Sequence, residues 1–206
     1  MKTSTKLGIA LGAALLFGAA AQAEEAGNWI VKVGAHNVDP QSDNGKLAGG
    51  ALRVDAGSDA SLTITAERML TPNWGFEILA ALPFQHDVKL NGVKAATVKH
   101  LPPTFSLQYH FMPENTISPF VGVGINYTTF FDEHTTGPLT GATLNLTDTY
   151  GPAAHAGIDF RLNERWLVTV DARWIKIDPD AKVNGANVGT VHIDPLVYGF
   201  AVGYRF

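Results

Sequence analysis

Eight charged residues in this sequence fall at alternating positions within otherwise apolar stretches, and any chemistry would start there. The acids are Glu67, Glu77, Asp159 and Asp171, and the bases are Lys32, Arg161, Arg173 and Arg205. Paired carboxylates can divide general-acid and general-base work when their surroundings separate their pKa values. Carboxylates interleaved with as many cations more often neutralise one another, because unpaired charge in a confined space is costly to desolvate. The mixture of signs favours the second reading, a packed ion-pair network. The seven histidines, His36, His86, His100, His110, His134, His155 and His192, show no close metal-ligand spacing such as H-E-x-x-H. No G-x-S-x-G turn or phosphate loop occurs. The expectation is a protein that is not an enzyme, with no catalytic, cofactor or metal site.

The elements that must position these charges are strands of period two. From Trp74 to Leu82, the residues Trp74, Phe76, Ile78, Ala80 and Leu82 alternate with Gly75, Glu77, Leu79 and Ala81. The same alternation sets Trp29, Val31, Val33 and Ala35 against Lys32, Gly34 and His36. It recurs near Leu62–Glu67, Phe105–Phe111, Val121–Thr128, Ala154–Arg161, Trp166–Trp174 and Leu196–Phe206, giving eight strands. Brief turns at Thr71-Pro72-Asn73, Pro113-Glu114-Asn115 and Leu162-Asn163-Glu164 alternate with four longer loops. Two of those loops span about residues 85–103 and 132–149.

The amino-terminal stretch has the features of an export signal. Lys2 and Lys6 precede an apolar run, Leu7 to Ala21, and Ala21-Gln22-Ala23 suits cleavage. Residues 1–23 are therefore expected to be a cleaved signal peptide, and residues 24–206 the domain. There is no cysteine, so a disulfide scaffold is excluded. A formal net charge of −4 argues against a nucleic-acid partner, which needs a basic face.

Alternation alone leaves open which face is inside, since a soluble barrel would bury the apolar side and wet the charged one. Three features favour an outer-membrane barrel. Aromatic residues of the apolar face gather at the two strand ends, with Trp29, Trp74 and Trp166 at the turn side and Trp174 and Tyr198 at the loop side. Two such girdles mark the interfaces of a membrane. Short turns on one side and long loops on the other match periplasmic and extracellular connections. The last strand ends on an aromatic residue, Phe206, as a closing barrel strand can. The expected fold is all-β: an eight-stranded antiparallel transmembrane β-barrel with four long extracellular loops and short periplasmic turns. Its lumen would collect Lys32, Glu67, Glu77, Leu79, Asp159, Arg161, Asp171 and Arg173.

Four stretches resemble the OmpW family of outer-membrane proteins: Asn73–Phe84, His100–Thr104, Gly122–Phe131 and the closing Gly203-Tyr204-Arg205-Phe206. The resemblance implies a hydrophobic channel in the extracellular half of the barrel and passage of small hydrophobic molecules. It also implies a floor of inward side chains, a Leu on the third strand, matched by Leu79, and a Trp on the seventh. Arg173 stands at the latter place, so the floor here should be more polar and the cargo should leave sideways into the bilayer. Tyr204 and Phe206 would serve as the signal read by the barrel-insertion machinery. The expected surroundings are the outer membrane of a Gram-negative bacterium, with its lipid and lipopolysaccharide. The alternative is a structural or receptor barrel with a plugged lumen, whose loops bind an extracellular partner.

Overall fold

A computed structural model describes residues 27–206; the expected signal peptide lies outside the described residues. Eight strands close on themselves: β1 (Trp29–Asp39), β2 (Asp59–Met69), β3 (Trp74–Ala81), β4 (Thr104–His110), β5 (Ile117–Thr135), β6 (Thr149–Arg161), β7 (Trp166–Ile175) and β8 (Leu196–Arg205). Each pairs antiparallel with its sequence neighbours, and β8 returns to β1. Val33 thus lies opposite Val202 on one side and Ile64 on the other. Closure leaves no unpaired strand edge, which a hydrocarbon environment would penalise heavily.

The turns end the strands by giving orphaned backbone amides a local acceptor. Asn163 Oδ1 accepts from the amides of Arg165 and Trp166, each at 2.9 Å. Thr71 Oγ1 does the same for Trp74 at 3.0 Å. Asn and Thr side chains make such bonds readily, and so favour turns over strand interiors.

Because successive side chains point to opposite faces, the barrel has an apolar exterior and a mixed interior. Val33, Leu62, Ile64, Phe76, Val123, Ile125, Val170 and Phe200 are exposed on the outside. A continuous band of this kind is far larger than a water-soluble monomer shows, and it is the surface lipid covers.

The extracellular connections are more ordered than loops. Phe84–Leu90 and Val93–Leu101 form a hairpin that turns at Asn91 and Gly92, both with left-handed backbone (φ +49° and +80°). The residues expected as a loop over 85–103 are therefore mostly strand. The hairpin continues along the upper half of β5, so that β5 runs to Thr135, beyond the expected loop start. A second small sheet, Leu144–Leu146, Asp180–Val183 and Ala186–Thr190, turns at Asn184 and Gly185 (φ +50° and +83°). With Leu52–Ala56, which pairs with the hairpin, these pieces wall a chamber above the barrel.

Candidate functional site

The inward positions of the barrel divide into levels. At the turn end, Ile30, Met69 and Leu167 pack together as an apolar base. Arg161, Arg205 and Glu114 line a gap of about 20 Å³ beside it, room for roughly one water.

The charged plug comes next, in two linked clusters. In the lower one, Lys32 Nζ donates to Asp159 Oδ1 at 3.1 Å and lies 3.8 Å from Glu67 Oε2. Thr169 Oγ1 donates to the same Asp159 oxygen at 2.5 Å. Glu67 Oε1 also meets His110 Nε2 at 2.8 Å and accepts from Gln108 Nε2 at 3.2 Å. Gln108 Oε1 in turn accepts from His155 Nε2 at 2.8 Å. In the upper cluster, Arg173 donates from Nη1 to Glu77 Oε1 at 2.6 Å and from Nε to Asp171 Oδ2 at 2.7 Å. His36 Nε2 donates to Asp171 Oδ1 at 2.9 Å, and its Nδ1 lies 2.7 Å from Thr63 Oγ1. Glu67 and Glu77 are wholly buried. Each carboxylate has several partners, the condition under which buried charge is tolerated.

Inward glycines make this density possible. A Cβ on Gly75 would overlap Glu67 Oε1, and one on Gly122 would overlap His155 Nε2. The space left by each missing side chain is filled from the neighbouring strand.

Above the plug the lumen turns apolar. Leu79 is buried, followed by Val38, Ala153, Ile175 and Val197. They lead to the chamber, a cavity of about 160 Å³. Its lining includes Val54, Val98, Phe130, Leu146, Val191 and Ile193, with His86 and His100 the two polar side chains besides. Burial pushes the His100 imidazole down to about 3, assisted by the neighbouring His86. Burial also lowers His86, partly opposed by its hydrogen bond to the Gly57 carbonyl. Both rings are therefore neutral at ordinary pH. Outside the chamber, Lys176 Nζ bridges Asp194 (2.5 Å) and Asp178 (2.9 Å), tying down the start and end of the last connection.

The structure places the sequence-derived residues as follows. Lys32, Glu67, Glu77, Leu79, Asp159, Asp171 and Arg173 are all buried within the barrel, whereas Arg161 is half-buried at the turn end. Glu77, Asp171 and Arg173 meet directly; Lys32, Glu67 and Asp159 form the second group. Trp29, Trp74, Trp166, Trp174 and Tyr198 stand on the outer face. Tyr204 packs edge-on against both Trp166 and Phe206, and the Phe206 amide bonds to the Trp29 carbonyl at 2.9 Å. Sequence reasoning did not single out Gln108, which links His155 to Glu67, nor the chamber walls. Asn91-Gly92 and Asn184-Gly185, flanked by alternating apolar residues, were the available signals for those walls. Among the described residues, no group of three or more His, Cys, Asp or Glu could hold a metal ion.

Comparison with known proteins gives the architecture a lineage. The OmpW family matches residues 25–206. Outer membrane protein W of Escherichia coli is 38% identical over 208 residues, covering 96% of this chain and 97% of that protein. Outer membrane protein AlkL of Ectopseudomonas oleovorans is 28% identical, covering 87% and 83%. The crystal structure of the outer membrane protein OprG from Pseudomonas aeruginosa superposes with a TM-score of 0.78 at 35% identity, covering 88% of this chain and 96% of that one. A match over nearly the whole described barrel leaves one conclusion: the chain belongs to the OmpW family and resides in the outer membrane of a Gram-negative bacterium.

Proposed function

We propose that this barrel is a passive channel that takes small hydrophobic molecules from the cell exterior and releases them laterally into the outer membrane. The observation that carries this reading is the sequence of environments along one axis: an apolar chamber of about 160 Å³, then buried aliphatic side chains including Val38 and Leu79, then a dense charged plug. An apolar molecule gains by leaving water for the chamber, at roughly 25 cal/mol per Å² of surface covered. Going down it would have to separate Arg173 from Glu77 and Asp171, which costs several kcal/mol. The easier way out is through the wall into hydrocarbon.

In this reading Leu79 is the apolar face of the floor, and Glu77, Asp171, Arg173, Glu67, Lys32, Asp159 and Arg161 form its charged body. Trp29, Trp74, Trp166, Trp174 and Tyr198 hold the barrel at the two interfaces with lipid and lipopolysaccharide. Tyr204 and Phe206 carry the assembly signal for the insertion machinery. No step in this scheme calls on a catalytic group. Uptake of a hydrophobic fluorescent probe, measured in cells with and without the protein, tests it. Faster uptake with the protein supports the channel; unchanged uptake would leave a structural or receptor barrel.

A further inference from the structure

The cations on the outside of the molecule are not all held alike. Lys94, Lys99 and Lys176, at the loop end, are each held by a carboxylate: Asp87 at 2.7 Å, Asp132 at 3.2 Å and Asp194 at 2.5 Å. At the turn end stand Arg68 and Arg165, and among the described residues neither guanidinium has a carboxylate partner. Aromatic side chains hold them instead. Arg68 lies over the Trp29 ring, 5.3 Å from its centroid, and Arg165 Nη1 donates to the Tyr204 hydroxyl at 3.1 Å. Arg165 uses one of its five N–H groups in that bond, and a cation–π contact uses none. Most of the donors of both side chains therefore stay free.

The two arginines frame one stretch of the rim. Trp166 on β7 pairs with Tyr204 on β8, Tyr204 pairs with Val31 on β1, and Trp29 on β1 pairs with Arg68 on β2. Tyr204 packs edge-on against Trp166 and Phe206, with centroids 5.0 and 4.9 Å apart. A shelf of four rings thus crosses the seam where the barrel closes, with an arginine at either end. The far side of the same rim differs. On β3 to β6 its outward side chains are Trp74, Phe111, Ile117 and Phe160, and no Lys or Arg stands among them. Short turns face the periplasm, so the whole rim lies in the leaflet made of phospholipid.

We infer that the closing seam binds an anionic phospholipid of the periplasmic leaflet, its phosphodiester held by Arg68 and Arg165 and its upper acyl chains lying on the shelf of Trp29, Tyr204 and Trp166. The guanidinium fork matches phosphate oxygens two at a time. A zwitterionic headgroup brings its own cation beside two arginines, and the Trp29 face that could receive an ammonium is already covered by Arg68. This goes beyond the channel reading: it concerns the outer face and depends on no transport step.

Tryptophan quenching by brominated lipid tests it, because the four tryptophans report on different places. In the refolded barrel, Trp74→Phe with Trp174→Phe leaves Trp29 and Trp166, both on the seam. Trp29→Phe, Trp166→Phe and Trp174→Phe together leave Trp74, on the far rim. Each form is placed in phosphatidylcholine vesicles in which either phosphatidylglycerol or a fraction of the phosphatidylcholine carries bromine. The seam reporters should prefer phosphatidylglycerol about fivefold, the worth of one arginine at an anionic surface, and high salt should reduce that preference. Trp74 should show a ratio near one. Arg68→Gln with Arg165→Gln should bring the seam ratio to near one as well. Equal ratios at the seam and at Trp74, or a preference that survives in the double arginine variant, would overturn the inference. If that variant does not refold, the comparison of the two reporters with both arginines present decides the matter alone.

Discussion

Arg173 holds two carboxylates at once, donating from Nη1 to Glu77 and from Nε to Asp171. Replacing it with leucine strands two buried charges, whose desolvation is no longer offset. Arg173→Leu should lower stability by about 3–5 kcal/mol in urea titrations of the refolded barrel. Adding Glu77→Gln should recover part of that loss, because it removes one of the stranded charges. His100 makes a residue-scale prediction with a sign. Its ordinary value is 6.5, and burial brings it to about 3 in the folded protein. The unfolded hairpin therefore takes up a proton that the folded one refuses, so its stability is full above pH 6.5 and falls as pH drops toward 3. Hydrogen exchange of the amides in Phe84–Leu101, corrected for intrinsic rates, should show easier opening at pH 4.5 than at pH 7. His100→Phe should remove most of that dependence.

At the scale of strands, alternation carried most of the information. The parity that put Glu77 and Leu79 inside and Phe76 and Ile78 outside is the parity found. What alternation could not convey is how full the interior is. Thr169 and Val170 are adjacent on β7, one inward and one outward. Val170→Arg places a charge in lipid near mid-strand and should cost about 2–4 kcal/mol. Thr169 faces the lumen, yet it is buried and bonded to Asp159, which leaves no room for a longer charged side chain. Thr169→Arg should therefore also destabilise the refolded barrel, while Thr169→Ser, which keeps the hydroxyl, should be nearly silent in the same titration. The chamber was harder to read for a different reason. Its walls come from segments that alternate but lie between the barrel strands, and their hairpin form depends on the left-handed turns at Asn91-Gly92 and Asn184-Gly185. The long reach of β5 likewise depends on a partner, the strand Val93–Leu101, supplied from another loop. Local pattern does not carry pairings of that kind.

For the molecule as a whole, one sheet does two jobs because its faces differ. The outer face is continuous hydrocarbon-compatible surface, and closure of β8 on β1 leaves no edge within it. The inner face changes character with height, from a small apolar base at the turn end, through ion pairs, to aliphatic and aromatic side chains near the exterior. A soluble barrel of the same pattern would need its large apolar residues inside, yet Phe76, Val123, Ile125, Val170 and Phe200 all face out. The proposed route takes cargo in from above and out through the wall, past a floor that stays shut. It is tested most directly in vesicles containing the refolded protein, with a fluorescent hydrophobic probe and two quenchers, one in the bilayer and one trapped in the aqueous interior. The account predicts that the protein speeds quenching by the bilayer quencher while a small saccharide of similar size stays out of the interior. Entry of probe and saccharide into the interior at comparable rates would contradict it.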